Sequence, residues 1–420
     1  MTFLKRACGG FVIATILVQV ATMAWADNYV TGMLYVTDYG LENLDRYMYT
    51  FDTTIDQITA IAPDGFGNNP TNAVLITGDV KEGVQGTAND LILVDGTHGA
   101  LTSISRYTLN GQLIGTIPVN FSNYNAGQPG IGNIVVTPDG KYLYAPLEEG
   151  NAIVKISLAT GAIVSSTPFT AAHDIAIASY NTTTGAAVLY ATGYSGPSPS
   201  VAVITDNGAN SASSLTQTQT LVTNATLTNN GLTSQRPTGL FVASDGSLYV
   251  NMNNSSEAGP DGVQHYSISS IGGTLTATYD PLTSIVSDSA LHFIFGESIG
   301  PDGNVYIAAL GGGNGVFGGN TGYTDGVFQY TVPTGGAQAT LADITQYIQG
   351  ETEGTNTGYE GLSAPKYLQF GINFAPAPDI GYNGTPEPGN VVLFLAVAMV
   401  AGFVFHRKSR SHPQSGFSAP

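Results

Sequence analysis

The chain holds one cysteine, Cys8, among 420 residues. A lone cysteine excludes an internal disulfide and a thiolate metal centre, so stability in an oxidising compartment has to come from packing. Charge is scarce as well. A tenth of the residues are charged, with 12 Lys and Arg against 30 Asp and Glu, for a net charge of −18. Such a field repels nucleic acid and anionic membrane surfaces, and it favours cations or neutral polymers. The familiar hydrolytic motifs are missing too. There is no His-Glu-x-x-His, no nucleophile elbow and no cysteine nucleophile. The run Gly311-Gly312-Gly313-Asn314-Gly315 lacks the lysine and following helix of a phosphate loop, and reads as a loop tip.

What is present begins at the two ends. Lys5 and Arg6 precede an apolar stretch from Phe11 to Val20, and Ala24-Trp25-Ala26 follows as a small-x-small sequence. That order predicts a signal peptide over residues 1–26, cut after Ala26. Cys8 precedes the apolar stretch, so it is not a lipoprotein acylation site. At the other end, Pro386-Glu387-Pro388 leads into apolar or small residues at 391–405, then His406-Arg407-Lys408-Ser409-Arg410. As a helix this span rises only about 22 Å, and snorkelling Arg407 and Lys408 would extend it. The positive-inside rule keeps the basic end cytoplasmic. The tripartite pattern resembles the PEP-CTERM sorting signal, although Gly389-Asn390 replaces the usual Ser-Thr and ten residues follow Arg410. The resemblance implies export, transient membrane anchoring through the C-terminal helix, and recognition by an exosortase-type sorting enzyme. An ordinary single-pass tail anchor is the competing reading.

Between the ends lies an acidic, turn-dense body. Removing both termini leaves seven Lys and Arg against 30 Asp and Glu, about −23. Fifty-three glycines suit turns, and 42% hydrophobic residues argue against disorder. A strand, an Asp-Gly turn and a second strand recur: Ile134–Tyr144 around Asp139-Gly140, Leu240–Val250 around Asp245-Gly246, and Ser298–Ile307 around Asp302-Gly303. Asp-Gly between alternating apolar runs is a strong hairpin signal and predicts a turn with both central residues at positive φ. Successive copies start about 45 to 60 residues apart, the period of a four-stranded propeller blade. These repeats resemble the YVTN/NHL type of β-propeller repeat over roughly Tyr29 to Phe374. The expected fold is all-β, a six-bladed β-propeller, with seven blades as the alternative and a β-helix weaker still. The first unit offers strands at Met33–Thr37, Arg46–Phe51 and Ile58–Ile61 but no innermost strand, while Lys366–Phe374 is an orphan strand at the end. Pairing the orphan with the first unit closes the ring and hides two edges. The domain order is then 1–26 signal peptide, 27–374 propeller, 375–385 Pro/Gly stalk, 386–410 sorting signal and 411–420 disordered tail.

In such a ring the innermost strands gather polar residues at one mouth. His173 and Asp174 open the innermost strand of the fourth unit, Arg236 opens the fifth, and Glu297 lies in the matching strand of the sixth. Convergence of these four would make a small-molecule or ion site. The competing reading makes them channel-lining residues bonded between blades. Six-bladed lactonases resembling regucalcin hold a divalent metal in the channel with Glu, Asn and Asp. Glu297 and Asp174 are the counterparts that resemblance implies, without the full motif. Asp261 and Asp325 sit in two similar Asp-Gly-Val loops and would bind Ca2+, or simply turn the chain into a third strand.

Lacking a paired nucleophile and base, the sequence favours a non-catalytic binding or structural module, exported and sorted to the cell surface or extracellular matrix of a Gram-negative-type bacterium. Exopolysaccharide or other surface proteins are the expected partners, with no nucleic acid. The alternative is an exported propeller enzyme, lactonase- or lyase-like, with its site at the channel mouth.

Overall fold

The computed structural model describes residues 29–38, 43–55, 57–63, 74–77, 80–86, 90–95, 103–125, 130–194, 200–223, 226–227, 235–254, 262–271, 273–286, 291–311, 326–330, 344–349 and 365–370. The signal cleavage site at Ala24 and Ala26, the sorting motif Pro386, Glu387 and Pro388, and the apolar span 391–405 lie outside them. Among the described residues no helix is long and apolar enough to cross a membrane.

The fold is an all-β propeller of antiparallel sheets. The first sheet contains β1 (Tyr29–Asp38), β2 (Asn43–Asp52), β3 (Gln57–Pro63) and β4 (Val74–Thr77). The second is β5 (Val80–Gly86), β6 (Asp90–Asp95), β7 (Ser103–Thr108) and β8 (Leu113–Pro118), and the third β9 (Val135–Val136), β10 (Tyr142–Leu147), β11 (Ala152–Ser157) and β12 (Ile163–Pro168). The fourth is β13 (Ala172–Tyr180), β14 (Ala187–Gly193), β15 (Ser200–Asp206) and β16 (Leu215–Val222), and the fifth β17 (Gln235–Val242), β18 (Leu248–Asn254), β19 (Gly262–Ile271) and β20 (Thr274–Val286). The sixth is β21 (Leu291–Ile299), β22 (Val305–Gly311), β23 (Gly326–Tyr330) and β24 (Ile344–Gln349), before the chain returns as β25 (Pro365–Phe370). From the second sheet to the sixth, each sheet runs in sequence order from its first strand to its fourth.

The orphan strand behaves as its sequence predicts. β25 joins the first sheet antiparallel to β1, with Leu34 opposite Phe370 and Thr37 opposite Tyr367. It supplies the strand that the first unit lacks, so the two ends of the propeller body share one sheet. The sequence did not reveal β4, which pairs with β2 beyond the end of β3.

A two-residue code in the second strands of the third to sixth sheets joins the sheets. The pairs Leu143-Tyr144, Leu189-Tyr190, Leu248-Tyr249 and Val305-Tyr306 occupy equivalent places in β10, β14, β18 and β22. Successive strand residues point to opposite faces. The aliphatic member of each pair therefore packs toward the preceding sheet, and the tyrosine toward the following one. Tyr306 of the sixth sheet packs with Leu34, Val36 and Tyr47 of the first. All four tyrosines are buried. The second and third sheets meet through Ile92, Ile104 and Ile117 against Leu143.

Buried polar bonds reinforce two seams. Lys155 Nζ lies 2.8 Å from Asp206 Oδ2, with side chains 1% and 0% exposed. Tyr144 OH donates to the same oxygen at 2.6 Å. At the closing seam, Ile58 N of the first sheet donates to Asp302 Oδ2 at 3.4 Å, and within the sixth sheet Tyr306 OH and Gln329 Nε2 donate to the same oxygen at 2.8 and 2.7 Å.

The Asp-Gly turns form as hairpins, but with a different geometry from the expected one. The glycines alone take positive φ, at 68° for Gly140, 83° for Gly246 and 72° for Gly303. The N–H of each glycine donates to the carbonyl three residues earlier, on Thr137, Ala243 and Gly300. This is a type I turn followed by a left-handed glycine, which suits the fixed φ of Pro138 and Pro301. The aspartate serves as an acceptor: Asp139, Asp245 and Asp302 each take the N–H two residues on, from Lys141, Ser247 and Asn304.

Candidate functional site

The innermost strands β13, β17 and β21 are neighbours in that order, and they carry the four residues singled out from the sequence. The chain reaches this point through close backbone approaches. Asn133 N donates to the His173 carbonyl at 3.1 Å, across from the third sheet. A Cβ on Gly132 would fall 1.7 Å from that same oxygen, so only glycine fits there. Thr238 Oγ1 donates to the Ile294 carbonyl at 2.7 Å, tying β17 to β21.

His173 is not open at the mouth as expected. It is 3% exposed and held on every side. Its Nδ1 hydrogen-bonds the Thr238 carbonyl, which requires the proton on Nδ1. Nε2 then points toward Glu148 Oε1, 3.6 Å away. The Tyr194 ring meets the imidazole edge-on at 5.2 Å, and the Arg236 guanidinium lies 6.0 Å from the centroid of the Tyr194 ring. His173 thus fastens β13 to β17, in line with the channel-lining reading. Arg236 is the exposed member of the four.

Asp174 is 1% exposed. Its oxygens accept from Ile175 N at 2.6 Å and from Leu240 N at 3.0 Å, and Asn133 donates a third bond from its side chain. Burial outweighs these donors and pushes its pKa up to about 7. Glu297 has no such support. Both of its carboxylate oxygens are enclosed without a hydrogen-bond partner among the described residues, although the residue as a whole is part-exposed. Burial first, and the charge of Asp174 second, hold its pKa well above the usual carboxylate range. Three donors favour the ionised form of Asp174 and none favours that of Glu297, so Asp174 is the first of the two to lose its proton as pH rises.

Two asparagines of β18 that the sequence did not single out are also buried. Asn251 is 0% exposed with neither amide atom bonded among the described residues, and Asn253 Oδ1 is likewise unbonded. Their signal in the sequence was polar residues at alternating positions of an otherwise apolar strand, Val250-Asn251-Met252-Asn253. Asp261 and Asp325 lie outside the described residues; the glycines after them open β19 and β23. No group of three or more His, Cys, Asp or Glu able to hold a metal occurs among the described residues.

No protein-family model matches the chain, and no curated protein matches it in sequence. Solved structures do resemble it in fold. A periplasmic gluconolactonase of Pseudomonas aeruginosa is 13% identical, with a TM-score of 0.49 over 81% of this chain and 99% of its own. A proposed 6-phosphogluconolactonase from Bacteroides fragilis is 14% identical, with a TM-score of 0.46 over 81% and 98%. A chain of the nidogen/laminin complex, at 10% identity, has a TM-score of 0.44 over 82% and 100%. At these identities the likeness concerns the fold. The expectation of a non-catalytic binding module is corrected. The Glu297 carboxyl, enclosed without a hydrogen-bond partner among the described residues and beside a second buried carboxyl, points away from a channel built for stability alone.

Proposed function

We propose that this protein is an exported six-bladed β-propeller enzyme of the lactonase-like kind, opening a small cyclic ester at Glu297. The observation that carries the reading is the Glu297 carboxyl, enclosed and without a partner beside Asp174. A protonated carboxyl away from water is a general acid at neutral pH. It would protonate the ring oxygen as the acyl C–O bond breaks, while water adds to the carbonyl carbon and returns its proton to the carboxyl pair. Asp174 tunes Glu297 by its charge, and His173 keeps β13 in place through Thr238. The order of the sheets and the β25–β1 pairing support six blades.

The same reading includes export and sorting. The basic and apolar N-terminal order supports a signal peptide over 1–26, and Pro386-Glu387-Pro388 with the apolar span 391–405 supports processing by an exosortase-type enzyme. Delivery to the cell surface follows, with Asp261 and Asp325 left as candidate Ca2+ ligands. Mass spectrometry of the surface-associated protein tests the sorting: a chain ending near Pro388 supports it, and an intact chain through Pro420 refutes it. The activity is tested on a panel of γ- and δ-lactones. Turnover by the wild type and its loss in Glu297→Gln support the assignment; a blank panel refutes it.

A further inference from the structure

The seam between the fifth and sixth sheets is apolar along most of its length, lined by Tyr249, Val263, Ile294, Ile307 and Phe328. Polar groups interrupt it at one place. Asn251 lies directly opposite Val263, and Glu297 directly opposite Ile307. Residues directly opposite in an antiparallel pair share a face. Val263 and Ile307 belong to the same core cluster, so Asn251 and Glu297 line the two sides of one seam. β18 and β21 are neighbours there. Asn253, two residues on, shares the face of Asn251. Together they present unbonded atoms of both kinds: the Nδ2 donor of Asn251, the Oδ1 acceptors of Asn251 and Asn253, and the Glu297 carboxyl.

A buried asparagine with both ends unbonded is destabilising unless a ligand completes it. A cation would take the oxygens and leave Asn251 Nδ2 without an acceptor. Building on the lactonase-like reading, we infer that Asn251 is a substrate-contacting residue whose Nδ2 donates to the carbonyl oxygen of the cyclic ester. That bond strengthens as the oxygen gains negative charge in the tetrahedral intermediate. The Oδ1 atoms of Asn251 and Asn253 accept from the attacking water and hold it over the carbonyl carbon. The step balances: the water oxygen bonds to carbon, the ring C–O bond breaks, Glu297 gives its proton to the ring oxygen, and the water proton returns to Glu297.

The test is steady-state kinetics on a turned-over lactone, with thermal unfolding of the same proteins. Asn251→Leu removes both amide ends while keeping the same branched heavy-atom skeleton, and Asn251→Asp keeps the acceptor while removing the donor. Both should lower kcat by roughly 100- to 1000-fold, the usual effect of deleting one oxyanion donor, with KM changed only a few-fold. Asn251→Leu should unfold at the same temperature as the wild type or higher, because a buried unbonded amide has been replaced by an apolar group. An undiminished kcat in both variants overturns the assignment to Asn251 alone. A lowered unfolding temperature in Asn251→Leu overturns it too, since that marks a structural amide. Stoichiometric Ca2+ binding by the wild type, lost in Asn251→Leu, overturns it in favour of a cation site. No lactone turnover by the wild type refutes the lactonase-like reading itself.

Discussion

Glu297→Gln should make this protein more stable, and increasingly so as pH rises. The native glutamic acid keeps its proton far above the usual range, because burial and the charge of Asp174 oppose ionisation. In the unfolded chain the same group ionises near 4.3. Between those two pKa values the native state holds one proton that the unfolded state has released. Stability therefore falls as pH rises, by about 1.4 kcal/mol per pH unit for each such proton. Asp174 behaves alike up to its pKa of about 7. Both contributions favour the fold most below the unfolded pKa, and both are lost upward through the native one. Glutamine has no proton to lose, so the Glu297 share of the slope vanishes in the variant. The stability difference between variant and wild type should grow as pH rises above the unfolded pKa, with a slope of at most about 1.4 kcal/mol per pH unit. The carboxylate oxygens are enclosed, so solvent screening does not reduce the effect. Urea unfolding followed by circular dichroism at half-unit pH steps measures it. A difference that stays constant with pH would refute the reasoning, because it would mean that Glu297 ionises normally in the folded protein.

Other outcomes follow from the packing. Lys155→Met or Asp206→Leu alone should destabilise by about 3–5 kcal/mol in urea unfolding, because each leaves a buried charge unpaired, whereas the double replacement should be milder than either. Gly132→Ala should lose about 3 kcal/mol or more in the same assay and disturb the placement of His173, since its Cβ would overlap the His173 carbonyl oxygen. Deleting residues 365–370 strips β25 from β1 and bares the edge of β1, so the variant should form soluble aggregates by light scattering at concentrations where the wild type does not.

Much of the fold could be read in advance because the propeller repeats itself. The Asp-Gly turns and the aliphatic-tyrosine pairs recur, and each copy reinforces the register of the next. The unpaired strand at 365–370 was legible because an open edge demands a partner. β4 was not, because its four residues carry no repeat signal of their own. The turn type was misjudged for a local reason: in each turn the aspartate side chain accepts the N–H two residues on, which holds a type I turn and leaves positive φ to the glycine, and Pro138 and Pro301 favour the same geometry. At the site, position within the repeat placed His173 and Asp174 on β13, Arg236 on β17 and Glu297 on β21. Their roles depended on bonding that no spacing encodes. His173 looks like the reactive group in sequence and is fastened to the Thr238 carbonyl, whereas Glu297 is the group without a hydrogen-bond partner among the described residues. Asn251 escaped notice because a single asparagine in a strand says nothing of whether its amide is satisfied.

The pH dependence of lactone ring opening, followed by pH-stat for the wild type and Glu297→Gln, tests the central claim most directly. The account predicts wild-type turnover that declines as pH rises through the pKa of Glu297, since the ionised carboxylate has no proton to give the ring oxygen. It also predicts a loss of about 100-fold or more in Glu297→Gln, as for removal of a general acid. A wild type that opens no lactone, or a Glu297→Gln variant with the wild-type rate and pH profile, would contradict it.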